Sequence, residues 1–420
     1  MACLEIIGGK RLYGELVIQG SKNAVLPMLS ACLLCKEKVV IGNCPDIYDV
    51  ACMTSLLKKL GAKMEEEGHT KSIMCENIAC MALDKELAGK MRASVLLTAP
   101  LLARCGRVKF PYPGGCVIGR RPIDLHIEAL EQMNVNFVEE DGFIYGTTDG
   151  LQGADIFLPF PSVGATEQII LAGVLATGIT KITNAAKEPE IVSLCQLLNL
   201  MGAKISGVGS SIIVINGVNE LGGTSYRVPS DRIVAETYLA AVAACGGEVK
   251  FALDCADQMG NVVELLKKMG MSIEEESGYL QCKAKEPVKN IEGIYTVVYP
   301  GFPTDMQSVF LALMATGRGQ GSMEEKIFES RFACVRELQK MGANIQVDHQ
   351  KRTAYVTGTK GLLGTSVEAK DLRGGAALVV AALNAKGKTI IQGIEFLDRG
   401  YENLALNLSQ LGANIVRIGG

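Results

Sequence analysis

Histidine is scarce: His69, His126 and His349 are the three in 420 residues, and no two stand at metal-ligand spacing, which argues against a histidine-rich metal site. Charge of one sign is lacking too. The formal net charge is -3 with no long run of either sign, which excludes bulk binding to nucleic acid or a membrane surface but not a local basic cleft. No uninterrupted span of about 18 apolar residues is suited to a bilayer, and the opening MACLEIIGGKRLYGEL lacks the sustained apolar core of a signal peptide. The expectation is a soluble, cytoplasmic protein. No Walker P-loop pattern and no strand-linked dinucleotide fingerprint occurs, so neither a metal nor an organic cofactor is expected.

Cysteine is plentiful, with 14 residues. Most are scattered through apolar segments, as at Cys32, Cys35, Cys195 and Cys245, where a reduced thiol behaves as a small hydrophobe, so a disulfide scaffold is not expected. The C-x-x-C pair Cys32/Cys35 lies in the apolar stretch SACLLC and reads as core. Hydrophobic residues make up 48% of the chain, enough for two or three sizeable cores.

One phrase recurs: LLKKLGAKME near Gly61, LEQMNVNFVE near Asn134, LLNLMGAKIS near Gly202, LLKKMGMSIE near Gly270, LQKMGANIQV near Gly342 and LSQLGANIVR near Gly412. A spacing of about 70 residues marks a repeated supersecondary unit. Each copy reads as an amphipathic helix stopped by a glycine, or by Asn134 in the second copy, and followed by a strand. A second series keeps the same period: KNAVLPMLSACLL, MRASVLLTAPLLA, TEQIILAGVLAT, RIVAETYLAAVAAC, DMQSVFLALMAT and LRGGAALVVAALNA. Helices apolar on nearly every face belong inside a core. The expected architecture is α/β, with six units in two globular halves of three, each unit giving one buried and one half-exposed helix.

Polar residues open the buried helices: Lys22 and Asn23, Arg92, Ser162-Val163-Gly164, Asp231 and Arg232, Asp305, and Asp371 with Arg373. Taken singly, Ser162, Asp231, Asp305 and Asp371 read as caps. Lys22, Arg92, Arg232 and Arg373 do not, because the helix dipole disfavours cations at an N-terminus; they suggest an anion held between the charges. If the helices of each half run parallel, these termini share one face. A further stretch, PYPGGCVIGRRP from Pro111 to Pro122, is a loop by its prolines and glycines, and it sets the thiol of Cys116 beside Arg120 and Arg121. Neighbouring positive charge favours the thiolate and attracts an anionic substrate.

With these stretches in order, GSKNAVLP from Gly20, MRAS from Met91, PGGCVIGRRPIDLH from Pro113, SVGAT from Ser162, AAKEPEIV from Ala185, PSDRIVAET from Pro229, FPTDMQ from Phe302, ESRF from Glu329, DLRGG from Asp371 and DRGYE from Asp398, the sequence resembles the enolpyruvyl transferases over essentially its whole length. The resemblance implies a two-domain inside-out α/β barrel, helices within and sheets facing solvent. One domain would comprise residues 1–20 and 230–420, carrying the catalytic base and phosphoenolpyruvate-binding arginines; the other would comprise 21–229, carrying the cysteine loop, with the active site in the cleft between them.

The resemblance further implies transfer of the enolpyruvyl group of phosphoenolpyruvate to the 3'-hydroxyl of UDP-N-acetylglucosamine, with release of phosphate, as the first committed step of peptidoglycan precursor synthesis. It makes Cys116 the acid, able to form an adduct with phosphoenolpyruvate and to be alkylated by fosfomycin, and Asp305 the base. Lys22, Arg121 and Arg399 would hold phosphoenolpyruvate, with Arg331 and Arg373 lining the same pocket. Asn23, Arg92, Arg121, Pro122, Ile123, Asp124, Leu125, Ser162, Val163, Gly164, Asp305 and Ile327 would hold the sugar nucleotide, Arg232 would join the anion site, and Asp371 and Asp398 would orient the neighbouring Arg373 and Arg399 or form exposed ion pairs with them. Both substrates are small molecules. The sister branch that uses shikimate 3-phosphate normally opens with a GSKS-type motif and lacks the cysteine loop, and a noncatalytic sugar-nucleotide sensor would need no acid or base. One departure stands out: Phe160-Pro161 precedes SVG where many relatives carry a lysine.

Overall fold

The computed structural model describes residues 2–114, 123–285, 287–359 and 361–419. The chain divides into two compact units, one holding residues up to 19 and from 230 onward, the other residues 20–114 and 123–229.

The apolar series folds as helices whose residues are nearly all buried. In the second unit these are Lys22–Ala31, Thr98–Cys105 after a 3-10 turn at Arg92–Leu97, and Val163–Gly173. In the first they are Arg232–Cys245, Gln307–Thr316 after a 3-10 turn at Thr304–Met306, and Leu372–Asn384. Gln307–Thr316 is buried at every position, as a stretch without a polar stripe must be.

The recurring phrase supplies the second helix of each unit: Tyr48–Leu60, Asp124–Gln132, Pro189–Leu200, Gly260–Lys268, Val335–Lys340 and Leu404–Gln410. The glycines that follow take left-handed conformations, with φ of 108° at Gly61, 103° at Gly202, 106° at Gly270, 86° at Gly342 and 95° at Gly412. Asn134 takes the same conformation, φ 72°, and its side-chain amide donates to the Gly150 carbonyl at 3.1 Å. Asn134→Ala loses this bond and places a β-carbon in the left-handed region, so a loss of about 1–2 kcal/mol is expected in chemical denaturation, with Asn134→Gly close to wild type.

Six sheets complete the pattern, three in each unit. Five have four strands in a common arrangement, an antiparallel pair, a central strand, and an edge strand parallel to it; the pair is a hairpin in four of them and joins Cys3–Ile7 to Asn414–Ile418 in the fifth. The strand Lys38–Gly42, for example, lies parallel to Thr224–Arg227 and antiparallel to Thr70–Met74. The sixth sheet has three strands, and its parallel edge contracts to the single bridge Ala82–Lys109. Strand residues alternate between buried and more exposed, as in Gly247–Ala252, so each sheet turns one face to the helices and the other to solvent. The 13 described cysteines are all free thiols, Cys32 and Cys35 among them, and both of these are buried. Among the described residues no group of histidine, cysteine and carboxylate side chains is placed to hold a metal ion, and no helix is long and apolar enough to cross a membrane.

Candidate functional site

The N-termini of the buried helices come together in the first unit. In the first unit Asp305, on the 3-10 turn that starts the middle helix, lies between two guanidiniums. Arg331 Nη2 donates to its Oδ1 at 2.7 Å, and Arg373 Nη2, from the start of the third helix, donates to its Oδ2 at 3.1 Å. Arg331 and Arg373 have side chains 6% exposed, and Asp305 is 25% exposed. Arg373 Nη1 also donates to the Tyr401 hydroxyl at 3.3 Å, which shares a hydrogen bond of 2.9 Å with Thr237 Oγ1 on the first helix. One carboxylate between two guanidiniums leaves this triad with a surplus of positive charge, suited to an anionic ligand.

Burial alone would raise the pKa of Asp305, but the charges of Arg373 and then Arg331 outweigh it and hold the carboxyl well below the usual carboxylate range. The Arg373 guanidinium, against the cost of burial, is held charged by Asp305, Tyr401 and Asp231. Burial pushes the Tyr401 hydroxyl up despite the nearby Arg373 charge.

In the second unit Lys22 opens its helix behind the Ser21 cap, and its Nζ lies 2.7 Å from Oδ2 of the buried Asp49. Arg92 opens the 3-10 turn before Thr98–Cys105. Thr98 and Gln168 are hydrogen-bonded to each other, which ties the segment that Arg92 opens to the helix Val163–Gly173. Ser162 caps Val163–Gly173 by accepting from the Ala165 amide at 3.3 Å. A β-carbon on Gly164 would lie 3.0 Å from the His126 ring, so a larger residue here would make the ring give way by a few tenths of an ångström. The structure thus gathers Asp305, Arg331 and Arg373 in one unit, and places Lys22, Arg92 and Ser162–Gly164 at helix starts in the other.

The sequence model of EPSP synthase (3-phosphoshikimate 1-carboxyvinyltransferase) matches residues 6–408. The chain belongs to the EPSP synthase family. Family relatives include UDP-N-acetylglucosamine 1-carboxyvinyltransferase 1 of Carboxydothermus hydrogenoformans, 44% identical over 415 residues, covering 99% of this chain and 98% of the relative. The UDP-N-acetylglucosamine 1-carboxyvinyltransferase of Acinetobacter baylyi is 42% identical over 414 residues, covering 98% and 99%. Among solved structures, the enolpyruvyl transferase NikO from Streptomyces tendae superposes with a TM-score of 0.90 at 24% identity, covering 100% of this chain and 99% of that one. EPSP synthase from Acinetobacter baumannii gives 0.78 at 20% identity, with full coverage of both chains. The fold is that of the enolpyruvyl transferases, as the repeat and the motifs led us to expect.

Within this EPSP synthase-family fold, several sequence readings sharpen or change. Ser162, Asp231 and Asp371 are caps, the two aspartates each accepting from two backbone amides of the helix they start. Asp305 is not a cap; its carboxylate is taken by the two arginines. Asp371 is buried rather than part of an exposed ion pair. Asp398 does not pair with Arg399: Arg417 donates to both its oxygens, at 2.6 and 2.8 Å, because the C-terminal strand Asn414–Ile418 brings Arg417 to it. The anions between the N-terminal cations include the protein's own carboxylates, Asp49 at Lys22 and Asp305 at Arg373. The Arg232 guanidinium lies 5.6 Å from the centre of the Tyr299 ring.

Asn23 follows Lys22 on its helix, and Arg399 ends the 3-10 turn Ile394–Arg399. Ile123 is buried, while Asp124 is exposed and accepts from the Leu125 amide at 2.9 Å. Phe160 is 44% exposed, and its carbonyl accepts from the Ser162 amide at 2.7 Å, so it is fixed to the turn it precedes. Cys116, Arg120, Arg121 and Pro122 lie outside the described residues. Sequence reasoning missed Asp49 and Tyr401. Asp49 carries no motif signal, whereas Tyr401 was present in the DRGYE stretch but unassigned.

Proposed function

We propose that this chain transfers the enolpyruvyl group of phosphoenolpyruvate to the 3'-hydroxyl of UDP-N-acetylglucosamine and releases phosphate, in the cytoplasm, as a step of peptidoglycan precursor synthesis. The observation that carries the reading is the Arg331–Asp305–Arg373 triad, which combines a carboxylate able to take a proton with guanidiniums able to hold an anion. Full-length identity of 42–44% to proteins named for this transfer supports the choice of acceptor.

The chemistry needs an acid, a base and several cations. Protonation of the methylene carbon makes the central carbon of phosphoenolpyruvate electrophilic and the sugar hydroxyl attacks as its proton leaves; the tetrahedral intermediate then expels phosphate while a proton of the new methyl group returns to the conjugate base of the acid, which restores the double bond. In this reading Cys116 is the acid and Asp305 accepts the hydroxyl proton. Lys22, Arg121, Arg331, Arg373 and Arg399 hold phosphate and carboxylate. Asn23, Arg92, Pro122, Ile123, Asp124, Leu125, Ser162, Val163, Gly164, Arg232 and Ile327 serve the sugar nucleotide and its anionic groups. The base and its arginines belong to the unit of residues 1–20 and 230–420, and the cysteine loop to that of 21–229.

The decisive experiment measures phosphate release from phosphoenolpyruvate with UDP-N-acetylglucosamine or shikimate 3-phosphate as acceptor, with mass analysis of the product. Release with the sugar nucleotide and an enolpyruvyl product of matching mass is expected. Release only with shikimate 3-phosphate moves the assignment to the sister reaction, and release with neither, despite sugar-nucleotide binding, makes the chain a sensor. Cys116→Ser is expected to lower kcat by about a hundredfold or more, the size of a general-acid contribution. Full activity in that variant removes the thiol from the mechanism.

A further inference from the structure

Resting on the reading above, we propose that Glu325 is a positioning residue whose single buried carboxylate sets both the turn that carries the base Asp305 and the turn that presents Ile327 to the sugar nucleotide. Glu325 is fully buried at the end of the strand Gln320–Glu324. Its two oxygens face different ways. Oε2 accepts from the Thr304 hydroxyl at 2.9 Å, and Thr304 is the residue before Asp305, at the start of the 3-10 turn Thr304–Met306. Oε1 accepts from the backbone amides of Ile327 at 2.8 Å and Phe328 at 3.0 Å, and from the Thr296 hydroxyl at 2.8 Å.

Thr296 closes the arrangement by accepting from the Lys326 amide at 2.9 Å, while the Glu325 amide donates to the Arg352 carbonyl at 2.9 Å. A buried carboxylate with this many donors is fixed in place, since each unmade bond would leave a buried polar group without a partner. The two turns are separated by about twenty residues of chain, yet through Glu325 they share one rigid reference point. Phe328 extends the reach of the Oε1 side, because its ring stacks 5.3 Å from the Arg331 guanidinium that grips Asp305. A shift of the carboxylate would therefore move the base and the nucleotide-side turn together, and misplacement of a reacting group by about 1 Å can cost a hundredfold in rate.

The two oxygens give separable tests. Thr304→Val keeps the shape and deletes only the Oε2 bond: kcat is expected to fall about tenfold while KM for UDP-N-acetylglucosamine stays within twofold and the melting temperature is nearly unchanged. Glu325→Asp shortens the side chain so that it cannot span both turns, and is expected to lower kcat and raise KM for the sugar nucleotide, each by about tenfold. Glu325→Gln, which keeps length and one acceptor oxygen, should recover most of the KM but not all of the kcat. Thr304→Val and Glu325→Gln at wild-type kcat and KM overturn the inference, as does a loss of activity in Thr304→Val that merely follows a loss of folded protein. A wild-type chain that transfers nothing to the sugar nucleotide overturns the functional reading and this inference together; a wild-type chain that transfers normally confines any failure to the inference.

Discussion

Asp305→Asn is expected to lower kcat by about two to four orders of magnitude, the range spanned by loss of a positioned general base, while the protein remains folded. The substitution is nearly isosteric, but it removes the negative charge that two buried guanidiniums share. Breaking a fully buried pair costs about 3–5 kcal/mol; with Asp305 a quarter exposed, we expect about 2 kcal/mol. The pH dependence follows from the direction of the Asp305 shift. Its folded pKa lies well below the unfolded value near 4, so its contribution to stability is fully present above about pH 4 and is lost as pH falls toward the folded value. Thermal melts from pH 3 to 8 should therefore show wild type and Asp305→Asn furthest apart near neutrality and converging in acid. A gap that widens in acid would mean that Asp305 is not the ionised partner of the arginines. Because the free carboxylate stays ionised throughout the working range, it should add no acid limb to kcat/KM above about pH 4.

Arg373→Leu carries the second large effect. The guanidinium donates to Asp305 and to Tyr401, and in the proposed reaction it also faces the anionic substrate. Losing charge-assisted hydrogen bonds worth about 1.5–3 kcal/mol each should cut kcat/KM for phosphoenolpyruvate by about a hundredfold or more. Arg373→Lys separates charge from geometry: the ammonium restores much of the stability but lacks the planar fork, so kcat/KM should remain closer to the leucine variant than to wild type. Steady-state kinetics with phosphoenolpyruvate varied at saturating sugar nucleotide measure this. Full recovery by lysine would reduce the role of Arg373 to that of a point charge.

The fold was legible where it depends on local pattern. The repeat predicted six units and a helix stop at Asn134, where the chain takes a left-handed turn, and the wholly apolar stretches predicted the buried helices. The helix N-termini also pointed to Lys22 and Arg373, because a cation at such an end conflicts with the dipole unless something offsets it, whereas Asp305 read as a cap and gained its role only from the resemblance. What closed the pattern was not legible. Asp49 reaches Lys22, Arg417 takes Asp398, and Glu325 joins Thr304 to Ile327 through contacts that tertiary packing creates. Adjacency in sequence suggested Arg399 as the partner of Asp398; the pairing instead crosses to a separate strand. Asp305 and Asp371 looked alike as potential caps, and the difference between them lies in whether Arg331 stands close enough to compete for the carboxylate.

The free cysteines have a practical consequence for covalent chemistry. Burial pushes the thiols of Cys44, Cys75, Cys195, Cys282 and Cys334 up to about 12, and those of Cys32 and Cys35 upward as well, so at neutral pH they offer an electrophile almost no thiolate. A chain rich in sulfur is therefore nearly silent toward alkylating agents across its interior. Cys3, Cys80, Cys105 and Cys245 are the partly exposed competitors among the described residues, and replacing all four would turn labelling stoichiometry into a direct readout of the thiol in the Pro111 to Pro122 loop.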